Sequence, residues 1–309
     1  QKPEGTLKVE QVKTNKIKVE VEGIDDISGV KGYIYYLGTE NEQGEIEYIK
    51  CAENWQEQEP REKGKNSYTY GGLKQNTKYY IKVEVQDKAG NIVELYSNQT
   101  TKKIPALNYL NMEVDISEKE WTKEDVIIKI KLDEDIADTE YEVEYTKDGG
   151  NTWGIYDEEN GIIVEQNTEV QVRLTDGENS GEGTTIEINN IDKTAPQITI
   201  EEIDSTSNSI SVEIEAEDTQ SGIKGYIYYL GKENEHGEIE YIEYARTNEK
   251  EYEYTSLDQN TTYYVKIEAI DNVGNVGNVE NSIKTTEIPS GTETIILTQD
   301  RKEWTNGNV

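Results

Sequence analysis

Hydrophobic and polar residues alternate with a period of two along most of the chain. Clear cases are Lys16-Ile-Lys-Val-Glu-Val-Glu22, Tyr80-Ile-Lys-Val-Glu-Val85, Val126-Ile-Ile-Lys-Ile-Lys-Leu132, Glu169-Val-Gln-Val-Arg-Leu174, Ser209-Ile-Ser-Val-Glu-Ile-Glu215 and Tyr264-Val-Lys-Ile-Glu-Ala-Ile270. Side chains of a strand point to opposite faces in turn, so this pattern gives each strand one apolar and one wet face. Turn residues separate the runs: Asp148-Gly-Gly-Asn151, Asn160-Gly161, Asp176-Gly177 and Ser221-Gly222. Short alternating strands with regular turns predict an all-β chain of antiparallel sandwiches or barrels. No stretch shows a convincing amphipathic helical period.

The pattern also repeats on a larger scale. Lys31–Ile49 returns as Lys224–Ile242 with two differences in nineteen positions, Thr39/Lys232 and Gln43/His236. Gln75–Asp87 returns as Gln259–Asp271, with the offset reduced from 193 to 184. The first copy therefore carries nine extra residues, placed between Cys51 and Lys65 and read as a longer surface loop. Thr100-Thr-Lys-Lys-Ile-Pro105 and Thr285-Thr-Glu-Ile-Pro289 end the two copies alike, and Pro196 closes Ile191-Asp-Lys-Thr-Ala-Pro. Linkers are expected at these prolines. Lys119-Glu-Trp-Thr-Lys-Glu-Asp-Val126 resembles Lys302-Glu-Trp-Thr-Asn-Gly-Asn-Val309. The expected layout is a first module over 1–105, a different one over 106–195, a repeat of the first over 196–289, and the start of another second-type module over 290–309. One strand cannot bury its own apolar face. The last segment thus reads as part of a longer array or as a strand donated to a neighbouring subunit.

Charge narrows the partners. Against 31 Lys and Arg stand 64 Asp and Glu, a formal net charge of −33. Such a field repels phosphate backbones and anionic membrane surfaces, so neither nucleic acid nor membrane insertion is expected. The acids alternate with Val, Ile and Tyr, as on the solvated faces of folded strands. Hydrophobic residues are only 33 % of the chain, which fits several small cores better than one large one. There are 22 Tyr and no Phe. The single Cys, Cys51, excludes an internal disulfide. No run reaches transmembrane length. No signal-like segment opens the sequence, so targeting and anchoring segments of a secreted protein would lie outside it.

Two motifs carry a family resemblance. Leu73-x-x-x-Thr77-x-Tyr79 and Leu257-x-x-x-Thr261-x-Tyr263, each followed by an alternating strand, resemble fibronectin type III domains. That resemblance implies seven-stranded sandwiches in which Tyr79 and Tyr263 close a tyrosine corner and Leu73 and Leu257 pack in the core. The family's strand-B Trp is absent from Ile17–Val21 and Ile210–Ile214. The intervening module is similar to bacterial immunoglobulin-like domains, through Glu144-Tyr-Thr-Lys-Asp-Gly-Gly-Asn-Thr-Trp153 and the Asp192-Lys-Thr-Ala-Pro196 linker. The resemblance implies an elongated array in a Gram-positive-type surface or secreted protein.

Three sets of residues are candidates for chemistry. Asp25, Asp87 and Asn91 recur as Asp218, Asp271 and Asn275, in loops that the sandwich brings to one end. Their oxygens would suit Ca²⁺, which takes six to eight hard ligands. The competing role is turn capping by Asp and Asn side chains. No other cofactor is expected. Trp55, in the unique insertion, is the candidate aromatic contact for a ligand; Trp121, Trp153 and Trp304 are expected to pack. Lone His236 replaces Gln43 of the other copy and has no partner motif, Cys51 has no flanking motif, and no acid pair, phosphate loop or metal cluster stands out. The chain is read as non-catalytic. Lys–Asn or Lys–Asp amide cross-links, known in some surface modules, are left open.

The expected role is a structural or adhesive stalk segment of a bacterial cell-surface or secreted protein. It would extend another domain or contact protein or glycan ligands. Alternatives are a carbohydrate-binding or spacer region of a secreted glycosidase, and a subunit of an extracellular fibre completed by strand addition.

Overall fold

In a computed structural model, residues 1–137 and 140–288 are described. Pro289, Trp304 and the expected module start at 290–309 lie outside them. The described chain is a tandem series of antiparallel β-sandwiches. It divides into two compact units. One holds Gln1–Glu120 and Glu124–Ile191; the other holds Trp121–Lys123 and the chain from Asp192 onward.

The first sandwich comprises β1 (Glu4–Val12), β2 (Ile17–Ile24), β3 (Val30–Glu40), β4 (Ile46–Asn54), β5 (Gly64–Tyr70), β6 (Lys78–Asp87) and β7 (Ile92–Thr100). Its sheets have the orders β1-β2-β5 and β4-β3-β6-β7. The second comprises β8 (Met112–Ile116), β9 (Val126–Leu132), a single helical turn α1 (Glu134–Ala137), β10 (Glu142–Thr146), β11 (Gly154–Ile155), β12 (Ile162–Val164), β13 (Thr168–Thr175) and β14 (Thr184–Ile188). Its sheets are β12-β9-β8 and β11-β10-β13-β14. The third comprises β15 (Gln197–Ser205), β16 (Ser209–Glu217), β17 (Ile223–Glu233), β18 (Ile239–Thr247), β19 (Glu251–Thr255), β20 (Thr262–Asp271) and β21 (Val276–Lys284), and it repeats the sheet orders of the first.

Period-two alternation decides which side chains go inside. In the first sandwich Ile17, Val19 and Val21 of β2 face Ile81, Val83 and Val85 of β6, all fully buried. Ile210, Val212 and Ile214 face Val265, Ile267 and Ala269 in the third. The second core gathers Val126, Ile128, Val170, Val172 and Leu174, and also takes in Ile104 and Leu107 from the connecting segment. Ile104 is thus a core residue of the module that follows it.

Two features of the repeated hairpin constrain its sequence. Asn41 Oδ1 accepts the Gln43 and Glu45 amides, and Asn234 Oδ1 accepts those of His236 and Glu238. The turn closes through Gly44 and Gly237 at φ of 81° and 80°, where a side chain is strained. In the preceding strand a Cβ on Gly38 or Gly231 would come within 2.9 Å of the Tyr48 or Tyr241 ring. His236 contributes a backbone donor at an exposed turn, which is all that Gln43 does in the other copy.

The insertion is an irregular, largely exposed surface loop, as expected, but it is tied to the sandwich at two points. Cys51 belongs to β4, and the segment beyond folds back on the sandwich. The Gln58 amide donates to Val30 O and the Arg61 amide to Asp25 O, both at 2.8 Å. This detour leaves a mark in the core. Tyr228 donates its hydroxyl to Glu249 O at 2.9 Å, whereas its counterpart Tyr35 is buried with no partner for its hydroxyl. We therefore expect Tyr35→Phe to leave the melting temperature unchanged or raised. Tyr228→Phe should cost about 1 kcal/mol. Thermal melts of the two variants check this, and equal losses would contradict it.

Burial raises the pKa of Tyr35, Tyr70, Tyr228 and Tyr254. A group whose folded pKa lies above its unfolded value stabilises the fold fully below the unfolded pKa, about 10 for tyrosine. That contribution disappears as pH rises beyond it. Absorbance at 295 nm in an alkaline titration should show a class of tyrosines that ionise only as the sandwiches unfold.

Candidate functional site

The loop residues named from the sequence all cap their own turns. Asp25 Oδ1 accepts the Ile27, Ser28 and Gly29 amides; Asp218 Oδ1 accepts those of Gln220 and Gly222. Asp87 Oδ1 accepts the Asn91 amide and Asp271 Oδ1 the amides of Val273 and Asn275. Asn91 and Asn275 donate their Nδ2 to Asp87 and Asp271 Oδ2, both at 2.7 Å. Such Asx capping explains why these residue types occupy these turns.

In the second unit the same loops do more. Asp218, from the β16–β17 loop, and Asp271, at the end of β20, are joined by Asp192 from the linker. Each of the three offers a carboxylate oxygen within 4.8 Å of the others, and Asp192 and Asp271 have no exposed surface. Burial pushes the Asp192 carboxyl up. The Ser221 side chain and the Thr194 and Ser221 amides outweigh this, so it sits below the usual carboxylate range and stays charged. Asn275 Nδ2 also donates to Asp192 O at 3.0 Å and Thr194 O at 3.3 Å, fixing the linker against the β20–β21 loop.

Oxygens bound to Ca²⁺ at about 2.3–2.6 Å can lie no more than roughly 5 Å apart. The three carboxylates satisfy that limit and would supply three to six of the oxygens, with solvent completing the shell at half-exposed Asp218. Sequence reading named Asp218 and Asp271 but missed Asp192. The available signal was an Asp four residues ahead of the proline that opens β15. In the first sandwich, Asn91 Nδ2 donates to Gln1 O as Asn275 donates to Thr194 O. The position matching Asp192 would precede residue 1. Among the described residues Asp25 and Asp87 belong to no group of three such ligands.

The other named residues are structural in their contacts. The Tyr79 hydroxyl accepts the Lys74 amide and the Tyr263 hydroxyl the Asp258 amide, both at 2.9 Å. Leu73 and Leu257 pack beside them in the two cores. Trp55 is 42 % exposed, rests on Gly32, and carries Lys31 Nζ at 5.0 Å from its ring centre. Trp153 is covered by the Arg173 guanidinium at 3.6 Å, while Trp121 is 40 % exposed. No lysine is buried among the described residues, so an amide cross-link has no buried lysine there to start from.

No protein-family model matches the chain, and no curated protein matches it. Solved structures similar to it include the FN1–FN3 domains of chicken CNTN1, at 15 % identity and a TM-score of 0.27, over 91 % of this chain and 97 % of that one. Three consecutive domains of titin are similar at 12 % identity and a TM-score of 0.33, over 92 % of this chain and 99 % of theirs.

The three-carboxylate set yields a direct expectation. Ca²⁺ at ten times its Kd should stabilise the second unit by about 1.4 kcal/mol, or roughly 5 °C in melting temperature. Asp271→Asn should remove the response. Identical melting curves in Ca²⁺ and in chelator would leave the three carboxylates as turn caps alone.

Proposed function

We propose that the chain is a non-catalytic structural spacer, a run of tandem sandwiches that holds other parts of an extracellular or cell-surface protein at a defined separation. The observation that carries this reading is the junction between the first two sandwiches. The Gln75 side chain spans it: Oε1 accepts the Ile104 amide at 2.7 Å, and Nε2 donates to Ser180 O at 2.6 Å. The Gln75 amide donates to Asn179 Oδ1, and Asn179 Nδ2 donates to Leu73 O. Thr14 donates its hydroxyl to Asp176, and Lys13–Glu140 and Lys103–Glu182 pair at the rim. A Cβ on Gly181 would come within 2.8 Å of Pro105 O, so the linker backbone lies directly on the second sandwich. Freely jointed modules need none of these bonds.

The charge of −33 supports a solvated role away from nucleic acid and anionic membranes. Among the described residues no helix is long and apolar enough to cross a membrane. A bacterial wall protein is the setting we favour, on the likeness of the modules to those of such proteins. The glycan-binding reading has less support, because one face of the Trp55 ring already lies on Gly32.

Gln75→Ala removes two hydrogen bonds across the junction and should cost the first unit about 2 kcal/mol. Calorimetry should show melting of the first unit shifted to lower temperature, and small-angle scattering should show a wider spread of arrangements of its two sandwiches. An unchanged transition and unchanged scattering would remove the basis for a spacer of fixed geometry.

A further inference from the structure

The face of the first sandwich that docks the second has a counterpart at the same end of the third. Gln259 stands where Gln75 does, and its Oε1 accepts the Ile288 amide at 2.9 Å just as Gln75 accepts that of Ile104. The surrounding frame is also kept. The Leu73 amide donates to Asn15 O and that of Leu257 to Asn208 O; the Lys102 amide donates to Lys13 O and that of Thr286 to Thr206 O. Thr101 and Thr285 bond the same backbone carbonyls. Ser207 retains the hydroxyl of Thr14. What differs is the cover. Ile104 is fully buried in the core of the second sandwich, whereas Ile288 is 60 % exposed and Gln259 is exposed where Gln75 is half-buried.

We propose that this end of the third sandwich is a docking face for a further immunoglobulin-like module of the second type, joined directly through Ile288. The proposal rests on the tandem-spacer reading and names the neighbour that the reading requires. Continuity with the interface already present in the chain supports this occupant. A side chain set to hold a linker amide, next to a bare isoleucine, matches the half of that interface that the first sandwich contributes. The neutral hydrogen-bonding centre is retained, but the charged rim is not. Thr206 replaces Lys13 and Glu287 replaces Lys103, the second a reversal of sign. The occupant is therefore a module with a neutral or basic residue where the second sandwich has Glu182.

The test extends the full chain after Val309 with a copy of residues 127–193, which completes the module whose start Lys302–Val309 matches. In a Cys51→Ser background, Ile288→Cys supplies the only thiol, at a position exposed in the original chain. Its alkylation by iodoacetamide should be at least tenfold slower in the extended chain than in the original. Glu182→Lys in the added copy should slow it further, and Gln259→Ala should restore faster labelling. Equal rates in the original and extended chains overturn the proposal, whether the added module folds apart from this face or does not fold against it. Gln75→Ala serves as the control. If it leaves the first junction intact, the spacer reading fails; if only the Ile288 results fail, the spacer reading stands and this docking face is lost.

Discussion

A core without phenylalanine has to accommodate the hydroxyl of each buried ring. All but Tyr35 of the fully buried tyrosines do so by bonding to backbone. Tyr33 donates to Gly64 O, Tyr70 to Tyr36 O, Tyr228 to Glu249 O and Tyr254 to Tyr229 O. Tyr79 and Tyr263 accept backbone amides at the loop before their own strand. Leaving such a group buried and unpaired costs about 1–3 kcal/mol, so each ring fixes the backbone it reaches. Ring-on-ring contacts add to this: Tyr35 stacks on Tyr68 at 4.8 Å, and Tyr228 on Tyr252 at 5.0 Å. The strand positions, the linkers and the interface at the sandwich ends all build on that frame.

Much of the fold was legible because period-two alternation has one physical meaning at a half-buried sheet. Ile17–Val21 and Ile210–Ile214 read as strands with an inner face, and they are strands with an inner face. The repeat offsets likewise located the nine-residue insertion. Its conformation was not legible, because it depends on Gln58 and Arg61 bonding backbone some thirty residues away. Local polarity says nothing about such partners. Nor does the local pattern distinguish Tyr35, whose hydroxyl has no partner, from Tyr228, whose hydroxyl has one.

The loop site was half legible for a similar reason. Asp218 and Asp271 stand out as members of a repeated Asp…Gly pattern, and their shared end follows from sandwich topology. Asp192 lies outside both repeats, so only the folded linker shows it beside them. The junction glutamine falls within a repeated segment, yet nothing in that segment marks a role for it. Gln75 sits in an ordinary polar turn, and its worth comes from Ile104 and Ser180, residues 29 and 105 positions away.

The placement of Ile104 bears on how such chains are cut and shuffled. By sequence pattern it belongs to the tail of the first sandwich, ahead of the proline at 105. By packing it is a plug in the floor of the next. A segment excised or transposed at residue 106 would leave that plug behind and open a void the size of an isoleucine side chain. The second sandwich therefore keeps an intact interior only in a piece that begins before the proline.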